Sequence, residues 1–363
     1  MKGRNYGIDL LRIISMFFVV VLHSLGQGGI LKNTIVDSIQ YKFSWFLEIC
    51  AYCAVDIFAL ISGYVSYNGK EKRINYSRYI DIWLQVVFYG LLVTAFFNIF
   101  RPELVSQRDY LLVLFPVTNG LYWYLTAYTG LFVFMPFINK SILECDNKKL
   151  KKIFIVILLV FSVFDTISKR FCLENGYSVI WIIILYILGA IIKKCNIGEN
   201  IKVFQVFIGI IVLSLITWVY KIYGFERNIL NIEIKKGLFI SYTSPTILGI
   251  AILYLIGLPK LKFNILFQKI IKFAASSTFA IYILNNHRLI WNYVMKDRNI
   301  SIVNESCIKI FASVILFSLV FSFVAILIDK IRIQIFKILH INDICKKIEF
   351  LLNSAIIKIS EKI

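Results

Sequence analysis

Recurrent apolar runs of about twenty residues are the feature that most restricts what this chain can fold into. A helix of that length, rising 1.5 Å per residue, crosses a hydrocarbon core of about 30 Å. Apolar residues make up 59% of the 363 positions and charged residues 17%, whereas a soluble domain has about 45–50% and about 25%. A soluble globular enzyme is therefore excluded, and the chain is predicted to be an all-α, polytopic integral membrane protein.

About ten transmembrane helices are predicted, because backbone groups in lipid must be satisfied within their own segment. The expected spans are 8–26, 43–67, 79–100, 121–139, 152–168, 177–192, 203–223, 237–258, 271–295 and 306–329. Alternate sides of these spans carry 25 and 13 Lys and Arg residues. The positive-inside rule then places both termini in the cytoplasm of a multi-pass cell-membrane protein. The net charge of +19 is explained by this topology and does not indicate a nucleic-acid partner.

The division of the chain is predicted from its few segments that do not span. Residues 1–329 form one membrane domain, and residues 330–363 form a basic amphipathic tail on the cytoplasmic face, in contact with membrane lipids. The stretch 102–118 is too short and mixed to span, so it is expected to be interfacial or re-entrant on the outer side, where it could cover a site. Cys50 and Cys53 form a CxxC without a second pair or nearby His, so no metal site is expected.

Three ionisable residues lie in the first span, where a charge is costly and is a functional candidate by default. Asp9 and Arg12 can pair across one turn, as a structural ion pair or as part of a catalytic site. His23 follows Arg12 by eleven residues, which returns it to within about 20° of the same face, roughly 16 Å further along the helix. Arginine can hold phosphate, and a neutral imidazole can accept a hydroxyl proton. We call this shared face of Arg12 and His23 the arginine–histidine stripe. It suits an enzyme with a cytoplasmic anionic donor and an outer acceptor.

The second span contains two further carboxylates. Glu48 and Asp56 stand eight residues apart with Tyr52 midway, roughly on one side of a helix. They are candidates for a paired-carboxylate site. Ser62 and Gly63, further along the same span, are typical of close helix packing.

Several motifs together resemble the acyltransferase type 3 family of membrane O-acyltransferases. The most specific are Asp9-Leu-Leu-Arg12 with His23 after ten residues, and Asp56-Ile-Phe-Ala-Leu-Ile-Ser-Gly-Tyr64. The segments Leu121-Tyr-Trp-Tyr-Leu125 and Ser277-Thr-Phe-Ala-Ile-Tyr282 also resemble family segments. The resemblance extends over nearly the whole chain.

The resemblance implies transfer of an acyl group, usually acetyl, from cytoplasmic acyl-CoA to a hydroxyl of an extracytoplasmic or lipid-linked polysaccharide. His23 would be catalytic, either deprotonating the acceptor or carrying the acyl group, and Arg12 would assist the donor side. Arg78 would meet the phosphates of acetyl-CoA. Where family members have Arg-x-x-Arg, this chain has Arg78-Tyr-Ile-Asp81, so Arg73 or Lys72 would have to replace the second arginine.

The chain departs from the family pattern at a second position, and two other functions are alternatives to acyl transfer. Many family members carry a His shortly after the late tyrosine, but here Asn285 stands there and His287 comes two residues later. Ser62, Tyr64, Tyr124 and Tyr282 are possible donors to a transition-state oxyanion. A transporter or flippase for an acyl donor or lipid-linked sugar would use Arg12, Glu48 and Asp56 along its pathway, but it predicts paired broken helices that we do not find. A glycan polymerase predicts a large outer loop, whereas the outer loops here are short.

Overall fold

The computed structural model describes residues 3–70, 75–229, 232–234 and 236–360. Seventeen α-helices are seen in these residues: α1 (Tyr6–Leu25), α2 (Ile30–Asn33), α3 (Ile39–Tyr52), α4 (Ala54–Ser66), α5 (Tyr76–Phe100), α6 (Gln107–Leu114), α7 (Trp123–Glu144), α8 (Asn147–Leu158), α9 (Asp165–Ser168), α10 (Val179–Cys195), α11 (Val203–Tyr223), α12 (Pro245–Gly257), α13 (Ile265–Ala275), α14 (Thr278–Asn286), α15 (Arg288–Ile290), α16 (Cys307–Ile338) and α17 (Ile341–Ser360).

Short segments of other geometry connect these helices. One π-helical turn, Leu159–Phe164, joins α8 to α9, and another, Trp291–Met295, continues α15. Single 3₁₀ turns cover Pro102–Leu104, Glu174–Gly176, Leu258–Lys260 and Ile300–Ile302. Strands β1 (Arg227–Ile229) and β2 (Ile232–Ile234) form a small antiparallel ribbon in which Asn228 is opposite Glu233. The sequence did not predict this ribbon, and the rest of the regular structure described is helical.

Five stretches within the described residues are long and apolar enough to cross a membrane: Tyr6–Asn33, Ile39–Ser66, Tyr76–Phe100, Val203–Tyr223 and Cys307–Ile338. The other five predicted spans coincide with helices that are shorter, less apolar or interrupted. The predicted span 271–295 is divided because His287 has an extended backbone, with ψ of 131°, between α14 and α15. The count of ten spans and the side of the termini therefore stay predictions.

The centre of the bundle is α10, which is apolar around its whole circumference and packs closely on α4. A Cβ atom on Gly63 would lie 1.9 Å from the carbonyl oxygen of Tyr186, and one on Gly189 would lie 2.0 Å from that of Leu60. The two glycines thus allow the helix backbones to touch, as small residues do in membrane helix pairs. This agrees with the packing role that Ser62-Gly63 suggested.

Helix α1 lies beside this central pair and carries the ionisable residues Asp9, Arg12 and His23. Asn5 caps its start by accepting a hydrogen bond from the backbone N–H of Ile8 at 3.1 Å. The Gly7 position has no room for a side chain, because a Cβ would lie 2.0 Å from the carbonyl oxygen of Leu258. The helix ends at Leu25, before a glycine-rich turn in which Gly29 has a φ of +90°.

Candidate functional site

A cavity of about 560 Å³ opens at the end of α1 that carries His23. Helices α1, α4, α7 and α14 form its walls, together with the residues that precede α7 and follow α14. Its surface is mostly apolar and aromatic, with a few polar groups, as is usual for small-molecule sites. It is lined by Met16, Val19, Leu22, His23, Val55, Phe58, Asn119, Gly120, Leu121, Trp123, Tyr124, Tyr177, Tyr242, Tyr282, Asn286, Arg288 and Trp291.

The orientation of His23 is set by two contacts from the region around α14 and α15. Its Nδ1 is hydrogen-bonded to Oδ1 of Asn285, a fully buried side chain. The Asn285 amide nitrogen in turn donates to the Met295 sulfur at 3.6 Å. Trp291 packs its ring edge-on against the imidazole, with centroids 4.7 Å apart. Because an amide oxygen only accepts, Nδ1 carries the proton and Nε2 is left as the proton acceptor.

Two tyrosine hydroxyls in the cavity wall are buried without a hydrogen-bond partner in the described part of the chain. Tyr124 is 5% exposed and Tyr282 is 6% exposed. Their rings are in contact, with centroids 5.9 Å apart. An unpaired buried hydroxyl is costly, so groups of this kind in a cavity wall indicate a ligand that they bind.

The other end of the arginine–histidine stripe carries a cluster of charges. Asp9 accepts hydrogen bonds from Arg12 Nη1 at 2.9 Å and from Arg4 Nε at 2.5 Å. Arg78, at the start of α5, is exposed and near enough for its charge to repel that of Arg12. Arg4, Arg12 and Arg78 therefore lie at one end of the bundle, and Asp9 pairs with the first two. Arg73 and Lys72 lie outside the described residues.

The cavity extends from His23 toward this arginine cluster. Helix α1 is continuous from Tyr6 to Leu25, so Arg12 and His23 share a face at a separation of roughly 16 Å. Met16 also lines the cavity, and it lies seven residues, about 10 Å, below His23 along the axis. Only about one helical turn separates the Met16 end of the cavity from Arg12.

The two carboxylates of the second predicted span do not lie on one regular helix. A single turn residue, Cys53, separates Glu48 in α3 from Asp56 in α4. Asp56 is fully buried and accepts a hydrogen bond from Trp181 Nε1 at 3.0 Å. Glu48 is 8% exposed. Each keeps one oxygen without a partner among the described residues, and neither lines the cavity.

His287 is placed in a connecting position. Its backbone separates α14 from α15, and its Nδ1 accepts a hydrogen bond from the N–H of Leu289 at 3.3 Å. The side chain is 3% exposed and does not line the cavity. Asn285, two residues earlier, is the group that meets His23. Sequence reasoning noted Asn285 only as a departure, although its place after the late tyrosine was the signal that could have identified it.

The segment between α5 and α7 borders the cavity, and an ion pair holds it there. Asn119, Gly120 and Leu121 line the cavity, and Asp109 in α6 pairs with the cavity residue Arg288. Burial opposes ionisation of Asp109. The backbone N–H of Ser106 and the Arg288 guanidinium outweigh it, so the pKa of Asp109 lies below its ordinary value. The cavity residues 119–121 follow directly on the 102–118 stretch, which contacts the cavity residue Arg288 through Asp109.

No cluster of three or more metal-binding side chains occurs within residues 3–70, 75–229, 232–234 and 236–360. A family model described as an acyltransferase domain matches residues 5–328. This match includes every cavity residue and the arginine cluster apart from Arg4. No curated protein and no solved structure matches the chain.

Proposed function

The chain belongs to the acyltransferase type 3 family and is a membrane acyltransferase, and we propose that it is an O-acetyltransferase of polysaccharides. In this proposal the acetyl donor is cytoplasmic acetyl-CoA, and the acceptor is a hydroxyl of an extracytoplasmic or lipid-linked glycan. The single observation that supports it most is the cavity that extends along α1 from His23 to Met16, about one helical turn from Arg12. A donor and an acceptor that approach from opposite sides can meet there.

His23 is the proposed general base. Its Nδ1 proton is held by Asn285, so Nε2 accepts the proton of the acceptor hydroxyl. The hydroxyl oxygen forms a bond to the thioester carbonyl carbon, and the carbonyl electron pair moves onto oxygen. When this intermediate collapses, the carbon–sulfur bond breaks and the thiolate takes the proton from His23, which leaves an ester and free CoA thiol. Attack by Nε2 itself, through acyl-histidine, requires the same unprotonated nitrogen.

Arg12 and Arg78 are the proposed donor-side residues. Acyl-CoA carries several phosphate charges, and guanidinium groups bind phosphate with two parallel hydrogen bonds. Asp9 holds Arg12 from one side and leaves part of its guanidinium accessible, since the side chain is 29% exposed. The thioester would then reach His23 along the cavity, while the phosphates stay at the arginine end.

The acceptor side of the cavity has the character of a sugar site. Trp123, Tyr177, Tyr242 and Trp291 present aromatic rings to it, beside the amide of Asn286 and the guanidinium of Arg288. Flat apolar rings with a few polar groups suit the apolar faces and hydroxyl edges of a hexose. A lipid-linked or polymeric glycan would enter past the 119–121 loop.

The proposed function is tested by acetyl transfer in membranes that contain the protein. Radiolabelled acetyl-CoA is supplied with surface, capsular and wall polysaccharides, and label in the glycan is measured for wild type, His23→Ala and His340→Ala at equal expression. His340, in the tail with a side chain 79% exposed, is the matched control. We expect transfer by wild type and His340→Ala and none by His23→Ala. Equal transfer by His23→Ala, or none by wild type, would contradict the proposal.

A further inference from the structure

The proposed acyl transfer places a negative charge on the carbonyl oxygen of the acetyl group, and this charge needs hydrogen-bond donors. Preorganised donors at that point are usually the largest electrostatic contribution to acyl-transfer catalysis. Side chains already hydrogen-bonded to other protein groups are held in place by those groups, so unpaired donors are the first candidates. The candidate donors are therefore the polar groups of the cavity wall that lack hydrogen-bond partners.

Most polar side chains in or near the cavity are engaged. Asn119 donates to the Phe115 carbonyl at 2.9 Å, and Asn286 donates to the Tyr282 carbonyl at 2.9 Å. Arg288 is paired with Asp109. Of the two candidate donors in the second span, Ser62 donates to the Phe58 carbonyl at 3.1 Å, and neither Ser62 nor Tyr64 lines the cavity.

Tyr124 and Tyr282 are different. Both line the cavity that contains His23, both are more than nine-tenths buried, and neither hydroxyl is bonded within the part of the chain that the structure describes. Phe58 packs against the Tyr124 ring at 5.6 Å and Phe279 stacks on the Tyr282 ring at 6.2 Å. Neighbouring aromatic rings thus restrict both phenols, which is the preorganisation that such donors require.

The backbone at this point adds to the electrostatic effect. Helix α7 begins at Trp123, and its N-cap residue Tyr122 provides no side-chain hydrogen bond to the first turn. The Tyr282 ring contacts the ring of Tyr124 in that turn, with centroids 5.9 Å apart. A helix of 22 residues presents partial positive charge at its start. An anion beside Tyr124 and Tyr282 would be stabilised by this end of α7 as well.

From these observations we infer that the hydroxyls of Tyr124 and Tyr282, at the start of α7, form the oxyanion hole of the enzyme. Both donate to the carbonyl oxygen of the acetyl group while His23 takes the proton of the attacking hydroxyl. The inference rests on the proposed function. It explains why two phenols are kept buried and unpaired in a wall where Phe would pack equally well.

The test uses the full-length protein in membranes, with acetyl-CoA and whichever polysaccharide accepts label from wild type. Tyr124→Phe and Tyr282→Phe each remove one oxygen atom. Each is expected to lower kcat about 100-fold, as loss of one oxyanion donor does, with the KM for acetyl-CoA within about twofold of wild type, because the donor acts in the transition state. The double variant is expected to lose more than either single variant.

Tyr122→Phe is the matched control. Tyr122 is 2% exposed and its hydroxyl also lacks a described partner, but it does not line the cavity. Its variant is expected to keep kcat within about twofold. Equal yields of monodisperse protein in detergent would show that all variants fold. Tyr124→Phe and Tyr282→Phe with wild-type kcat, beside an inactive His23→Ala, would overturn the oxyanion hole and leave the proposed function standing. An equal loss in Tyr122→Phe would also overturn it, and a wild type without transfer would overturn both.

Discussion

A single hydrogen bond to Asn285 decides which ring nitrogen of His23 is left free. The amide oxygen of Asn285 can only accept, so it selects the imidazole tautomer with its proton on Nδ1. A histidine at position 285 could present either a donor or an acceptor, whereas asparagine in this orientation offers only the acceptor. The bond joins residues 262 positions apart in the chain. It therefore ties the His23 end of α1 to the end of α14.

Replacing Asn285 with Leu is expected to impair catalysis without preventing folding. Leu has the same number of side-chain heavy atoms and the same branching but cannot hold Nδ1, so the imidazole can rotate or take the other tautomer. We expect kcat for acetyl transfer to fall about 10- to 100-fold, measured with the same labelled donor in membranes. Met295→Leu is the control, since it removes the sulfur to which the Asn285 amide donates and leaves the bond to His23. Equal activities of Asn285→Leu and wild type would contradict the orienting role.

The sequence allowed one end of the site to be predicted better than the other. The stripe of Arg12 and His23 could be placed because both lie on one continuous helix, where periodicity fixes relative position. Periodicity could not place the cavity residues of other segments near His23, because helix packing decides their positions. These include Trp291, Tyr177 and Tyr242, and the same holds for Asn285, which bonds to His23. The turn at Cys53 between α3 and α4 could not be predicted for a related reason, since the apolar run of the sequence continues through it.

The short helix α6 and its flanking residues act as one element that borders the cavity. α6 has only eight residues and cannot span a membrane. It is held to α5 by close packing of Val113 on Gly90, where a Cβ would lie 2.4 Å from a Val113 methyl carbon. Its other attachment is the ion pair from Asp109 to Arg288. Since Arg288 lines the cavity, this ion pair connects the α6 element to the cavity wall.

Acid is expected to release this element. The pKa of Asp109 is lowered by folding from its ordinary value of 3.8, so the ion pair contributes stability above pH 3.8 and loses it as the pH falls through the lowered value. The contribution is about 1 kcal/mol or less, because Arg288 is 40% exposed. Proteolysis of segment 102–120 in detergent should increase below pH 3.8 in wild type.

In Asp109→Asn, proteolysis of segment 102–120 should be increased already at pH 7, because the neutral side chain cannot form the ion pair with Arg288. Glu103→Gln is the matched control, because Glu103 pairs with Arg101 on the same segment but 58% of its side chain is exposed. Its proteolysis at pH 7 should equal that of wild type. Cleavage of Asp109→Asn at the wild-type rate at pH 7 would show that the ion pair does not hold the segment.

The bundle as a whole divides its charges and its apolar surface in the way that a membrane requires. Helices α11 and α16 expose large apolar side chains along their length, including Phe204, Leu316 and Phe323, whereas α10 is buried in the centre. The terminal helix α17 packs on α5, where Glu349 accepts a hydrogen bond from the Tyr76 N–H at 2.8 Å. Exposed Ile344, Leu351 and Ile359 share one face of α17. That face suits the lipid contact proposed for the basic tail.

The orientation of the whole molecule can be tested with its own cysteines. Cys172 is free and exposed in the connection between α9 and α10, on the side predicted to face outward. In a variant that keeps only this cysteine, a membrane-impermeant maleimide should label intact cells. Asn353→Cys, in a background without other cysteines, should react only after the membrane is opened, because the basic tail is predicted to lie inside.

The same predicted orientation sets the direction of the proposed acyl transfer. The predicted side of Cys172 is the side on which α1 ends beyond His23, and the predicted side of the tail is the side of Arg12 and Arg78. The opposite result is labelling of Asn353→Cys in intact cells and of Cys172 only after lysis. It would show that the orientation is inverted and that the arginine cluster lies outside, away from cytoplasmic acetyl-CoA. Labelling in the expected order leaves the arginine end open to the donor and the aromatic end open to an outer glycan, as the proposed reaction requires.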